Sequence, residues 1–241
     1  MLRTAPLGVL LGALVLAAPG CGGEDEGKGD GDPTLTVYVS VPLSGSEAVE
    51  GLAVSQGAQD ALADAGGEAA GVRVEAKILD AGPGASVSKP TEEGADPARA
   101  AVNARMAIQD STAIAYIGEL DSATTFTSLP ITNDARMLQV SPSADAVELV
   151  APFDGSDEVP PEAQPSGARS FGTLAPLDGD PREAGAEAMA LVLDAIGRAS
   201  DPLDRASVVE AFLATGERES PLGTYSIDEV GRADPATGPA S

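Results

Sequence analysis

The chain has 241 residues, 43% hydrophobic and 22% charged, which suits one substantial α/β domain or two small ones. Thirty-eight Asp and Glu against fourteen Lys and Arg leave a formal charge of −24, so the surface repels phosphate and nucleic acid is excluded as a partner. With no His and one Cys, a His-based triad, a His general base, a His zinc site and an intramolecular disulfide are all excluded.

Residues 1–20 read as a secretory signal, with Arg3 as the positive end and Leu7 to Ala18 as an apolar run too short to span a bilayer comfortably. The run ends in Leu16-Ala17-Ala18-Pro19-Gly20-Cys21, and small residues before a lone Cys resemble the bacterial lipobox. That resemblance implies lipid attachment at Cys21 and a membrane anchor; an ordinary signal peptide with an incidental Cys is the other reading. Residues 21–33 are rich in Gly and acid without an apolar period, and are expected to be a flexible tether.

Leu35, Val37, Val39 and Val41 alternate with polar residues and predict a strand. Val54, Ala58, Ala61, Leu62 and Ala65 follow helical spacing and stop at Gly66-Gly67. Val72, Val74, Ala76 and Ile78 give a second strand whose charged alternate residues imply thin cover on one face. Residues 82–95 read as a loop, and Asp96-Pro97 starts a helix to about Gln109. The apolar run Ile114 to Ile117 predicts a central parallel strand, Ser122 a cap for a helix to about Asp134, and Met137 to Val140 a fourth strand. Residues 151–168 lack any period and are expected to be poorly ordered. After residue 182, Ala188, Val192, Ala195, Ile196 and Ala199 form an apolar helical stripe suited to core packing.

The β-α-β-α-β-α-β order predicts an α/β fold with a doubly wound parallel sheet. Ligands bind such sheets beyond the carboxyl ends of the strands, here at Ser44-Gly45, Asp80, Gly118 to Ser122 and Ser141 to Asp145.

Six stretches follow one another in order: VYVSVPLSG (Val37–Gly45), GLAVSQGAQDALADAGG (Gly51–Gly67), GVRVEAKILD (Gly71–Asp80), DPARAAVNARMAIQD (Asp96–Asp110), AIAYIGELDSATT (Ala113–Thr125) and LPITNDARMLQVSPSAD (Leu129–Asp145). Together they resemble the extracytoplasmic Leu/Ile/Val-binding proteins of the type I periplasmic-binding fold. Residues 185–217 resemble the family's late helix pair, and Ser220–Arg232 the strand segment that follows. Family members have two lobes. Arg169 to Pro176 resembles the first strand entering the second lobe, but the late helix follows within about ten residues, so most of that lobe is absent. The resemblance therefore implies a single lobe: residues 34–150 as its body, 151–181 as loop and crossover remnant, 182–232 packing back on the body, and 233–241 as a tail.

Its implied function is the substrate-binding lipoprotein of an ABC importer for Leu, Ile, Val or similar solutes, partnered by a permease and needing no cofactor. By position, Ser122, Ala123 and Thr124 match the family's carboxylate-binding segment, and Ser143 and Asp145 match its second binding loop, with Asp145 in place of a Thr. Ser122 as a helix cap and Asp145 as a cap or solvated loop residue are the structural readings of the same residues. An enzyme built on Ser122 has no His, and Lys77 and Lys89 fall in a strand and a loop. An extracellular interaction or sensor module that no longer binds solute is the alternative function.

Overall fold

Six strands form the main sheet in the order β2-β3-β1-β4-β5-β6. They are β1 (Thr34–Val41), β2 (Glu68–Ala69), β3 (Val72–Asp80), β4 (Ala113–Ile117), β5 (Leu138–Ser141) and β6 (Phe171–Thr173). All neighbours run parallel except the short edge pair β2 and β3. The computed structural model describes residues 33–84, 94–152 and 154–236. The signal segment, Cys21, the tether up to residue 32 and residues 85–93 of the predicted loop lie outside the described residues.

Strand β1 occupies the middle of the sheet and is buried on both faces. Its valines face one core, while Tyr38, on the alternate face, is fully buried and donates its hydroxyl to Asp110 at 2.8 Å. Polar alternation thus marks a second, more polar core here rather than a wet face. Strand β3 is different: Arg73, Glu75 and Lys77 are exposed, as its charged alternation implied.

Helices cover both faces. Helices α1 (Ala48–Asp64), α4 (Pro181–Arg198) and α5 (Arg205–Leu213) pack over Val37, Val39 and Ile117, adding Val54, Val192, Ile196 and Phe212. Helices α2 (Pro97–Gln109) and α3 (Ser122–Asp134) pack on each other over the opposite face, where Tyr38, Tyr116, Ala104, Ala107 and Met137 meet. Small side chains dominate because aromatics are scarce, and they bring the layers close. A Cβ on Gly57 of α1 would lie 1.9 Å from the Arg182 carbonyl oxygen, and one on Gly185 of α4 would lie 2.2 Å from that of Val54. The two glycines let the helix backbones touch. Asp180 caps α4 in a full capping box with Glu183.

Three expectations are corrected. First, Arg169 to Pro176 does not leave for a second lobe: it supplies β6, which pairs with β5 at the edge of the same sheet. Second, residues 154–168 are anchored by two buried carboxamides. Gln164 donates to the Leu149 carbonyl at 3.0 Å and accepts the Ser170 N–H at 2.9 Å, while Asn133 accepts the Ser166 N–H and donates to the Ala168 carbonyl. Side-chain amides here satisfy backbone groups that no helix or strand serves. Third, the expected tail contributes β9 (Ala233–Pro235), which joins β7 (Arg218–Ser220) and β8 (Gly223–Ile227) in a small antiparallel sheet. Buried Glu187 of α4 ties this sheet down, accepting from the Tyr225 hydroxyl and from Arg218, each at 2.5 Å. Desolvation of the phenol, and then its bond to the Glu187 carboxylate, drive the Tyr225 pKa upward, against Arg218.

Candidate functional site

The parallel strands β3-β1-β4-β5-β6 reverse direction of winding between β1 and β4, and a crevice beyond their carboxyl ends is where doubly wound sheets take ligands. Three loops reach that rim: the one after β1, the one from β4 to α3, and the one after β5. Asp80, at the end of β3, fixes the first. It accepts the N–H groups of Leu43 and Gly82 and the hydroxyl of Ser44, and faces Arg99 at 3.3 Å. Burial works to raise its pKa, but those donors and the guanidinium hold it below the usual carboxylate value.

The second loop starts helix α3. Asp121, rather than Ser122, is the cap: its carboxylate accepts the Thr124 N–H at 2.9 Å, and Ser122 is the first helical residue. The carboxylate one residue earlier in the chain takes the orphan amide, which frees Ser122 for other work. The N–H groups of Ser122 and Ala123 have no acceptor among the described residues. Thr124 is buried, with its hydroxyl and amide both engaged by Asp121, and it offers a ligand nothing.

Ser122 and Asp145 do come together. The Ser122 hydroxyl accepts the Ala146 N–H at 3.1 Å and makes a long contact of 3.4 Å to Asp145 Oδ1. Asp145 and Ser143 are both exposed. Ser143 donates its hydroxyl to the Leu120 carbonyl at 2.7 Å, which ties the third loop to the second. Buried Ser141 does the same, donating to the Glu119 carbonyl at 2.6 Å and accepting the Ala144 N–H at 2.8 Å. A cavity of about 140 Å³ opens beside Ser143, walled by Val54, Pro142, Leu177 and Ala184, with Glu50 at its edge.

Beneath the rim lies a residue that sequence reading passed over. Glu119 is fully buried, accepting the Tyr116 hydroxyl at 2.6 Å and the Ser40 hydroxyl at 3.0 Å. Asn103 donates to the same Ser40 oxygen at 2.9 Å. Burial lifts the Glu119 pKa to about 8, against the hydrogen bonds that favour its charge, so it is largely protonated at neutral pH. A carboxyl directly after an apolar central strand was the available signal. Among the described residues no cluster of His, Cys, Asp or Glu could hold a metal, and no helix is long and apolar enough to cross a membrane.

The sequence matches no family model, and no curated protein matches it. Solved structures do match. A leucine-binding protein of Thermotoga maritima superposes with a TM-score of 0.60 at 15% identity, covering 83% of this chain and 93% of that one. The fold is that of one lobe of a type I periplasmic binding protein. A branched-chain amino acid binding protein of Streptococcus pneumoniae, solved with isoleucine, gives 0.59 at 13% identity over 83% of this chain and 93% of that one. A solute-binding protein of Rhodopseudomonas palustris, solved with 3,4-dihydroxybenzoic acid, gives 0.60 at 13% identity over 83% and 90%. The Streptococcus protein is a transporter's substrate-binding protein and the Rhodopseudomonas protein the solute-binding protein of an ABC transporter.

Proposed function

We propose that this protein is the solute-binding component of an ABC importer, exported and held to the outer face of the cytoplasmic membrane by lipid on Cys21. Its solute is an amino acid of the Leu, Ile or Val class. The carrying observation is the pairing of Ser122 with Asp145 next to two unpartnered amides of α3. The ammonium and carboxylate of an α-amino acid are neighbours, as these groups are. A zwitterion at the rim places its ammonium on the Asp145 carboxylate. Its carboxylate accepts from the Ser122 and Ala123 N–H groups at the positive end of the helix, and from the Ser122 hydroxyl turned away from Asp145. Its apolar side chain fits the cavity beside Ser143.

A single lobe leaves the other side of the ligand in water. Losing ~100–150 Å² of apolar burial removes roughly 2.5–4 kcal/mol, two to three decades of affinity. Binding is accordingly weak. Titration calorimetry tests the reading: Leu, Ile and Val bind in about the millimolar range, Ser122→Ala weakens binding, and Asp145→Ala weakens it for the amino acids but not for their deaminated acids. Equal binding by all three proteins would retire the site. Fatty-acid labelling of wild type but not of Cys21→Ser tests the anchor.

One observation favours a second reading. Both hydrogen-bonding capacities of the Ser122 hydroxyl are already met inside the protein, and Asp145 repels any carboxylate that arrives without an ammonium. A rim closed on itself in this way suits an interaction or sensor module that has given up its solute.

A further inference from the structure

A larger cavity, about 250 Å³, lies at the opposite end of the sheet, where the chain enters β5 and β6 and where α5 passes over. Val209 and Leu213 of α5 give it an apolar wall, while Arg136 and Arg169 bring two guanidinium groups to it. In a chain with 38 acidic residues and 14 Lys and Arg, carboxylate partners are plentiful. Arg99, Arg182, Arg198 and Arg218 have them, while the two cavity arginines, like Arg73, Arg105, Arg205 and Arg232, form no ion pair among the described residues.

Three further features converge on this cavity. Arg136 follows the end of α3 with φ +53, the left-handed region where Gly is favoured and where an Arg is held at a penalty. Arg169 donates to the carbonyls of Val150 and Asp157, which leaves three of its five N–H donors. Burial lowers its pKa, with Asp157 and Asp228 acting the other way. Ser170 is 2% exposed and lines the same space. Its hydroxyl oxygen accepts from Asn133 at 2.7 Å, which leaves its proton available to a further acceptor.

We propose that this cavity is a second binding site, distinct from the rim, for a small organic monocarboxylate, held by Arg136, Arg169 and the Ser170 hydroxyl with its apolar body against Val209 and Leu213. Planar guanidinium groups match a carboxylate in a forked geometry. Glu210 also lines the cavity and is exposed; its charge opposes any anion, and a dianion such as phosphate or a dicarboxylate about twice as strongly as a monocarboxylate. The inference is independent of the proposed transport function.

The test is nuclear magnetic resonance on the full chain, with 4-methylpentanoate as probe and the uncharged 4-methylpentanamide as control. The acid should shift the methyl signals of Val209 and Leu213 saturably, and the amide should not. Arg136→Gly should weaken acid binding about ten- to hundredfold. The same change relieves the left-handed arginine, so its melting temperature should hold or rise, which separates lost binding from lost folding. Equal shifts from acid and amide, unchanged affinity in Arg136→Gly, or shifts confined to the Ser122 and Ala123 amides would each overturn the proposal.

Discussion

The contact of α1 with α4 and the rim at the carboxyl ends of the strands are built by opposite means. Between the helices Gly57 and Gly185 put backbone against backbone, and the apolar stripe of α4 does the rest. At the rim the loops are held by polar side chains, with Glu119, Ser40, Asn103, Ser141 and Ser143 satisfying one another and the main chain. The first region tolerates no added volume. The second tolerates volume poorly too, but above all it tolerates no unpartnered charge. Stability in this protein is therefore decided away from the rim, and pH sensitivity directly under it.

The sharpest way to break that contrast is at Glu187, where a buried carboxylate ties α4 to Arg218 and Tyr225. Glu187→Ala leaves Arg218 with only the longer Asp194 contact at 3.6 Å and the buried Tyr225 hydroxyl without its acceptor, and should destabilise the fold by about 3–5 kcal/mol, read by thermal unfolding. Next comes overpacking. Gly185→Ala drives a methyl onto the Val54 carbonyl and should cost roughly 1–3 kcal/mol, whereas Gly197→Ala, where a Cβ meets nothing, should be neutral or mildly stabilising.

The rim supplies the third test. Glu119 keeps its proton in the folded state up to about pH 8, while in the unfolded chain it ionises near its ordinary value. The folded state thus binds more protons between those two values. Its stability contribution is complete below the unfolded pKa and is lost as pH rises through about 8. Urea midpoints of the wild type should fall across that window, and Glu119→Gln, neutral at every pH, should flatten the slope. An unchanged slope would place the titrating group elsewhere. The smallest effect expected is at Asp121, where replacing the cap by Ala should cost about 1 kcal/mol of stability and loosen the first turn of α3.

Much of the fold was legible in the sequence, because the parallel strands and their helices carry strong apolar periods: Val37 to Val41, Ile114 to Ile117, and Ala188 to Ile196. What escaped were features whose signal is a single polar residue. Nothing in the pattern of residues 151–168 reveals that Gln164 is buried and bridges Leu149 to Ser170. The strand Phe171–Thr173 is too short to declare which sheet it joins, and only pairing with β5 decides it. At the rim, Ser122, Ser143 and Asp145 are candidates by position alone, and their placement on adjacent loops follows from the strand order. The exchange of roles between Asp121 and Ser122, and the inward turn of Thr124, depend on local hydrogen bonds that both neighbours could have made.

A zwitterion received jointly by the first amides of α3 and the Asp145 carboxylate has a direct readout in backbone amide shifts during titration with leucine, with leucinamide as the ligand that keeps the ammonium and loses the carboxylate. Leucine should move the Ser122 and Ala123 amide signals, and leucinamide should leave them in place. Equal movement with both ligands, or movement with neither at leucine concentrations that saturate binding, would contradict it.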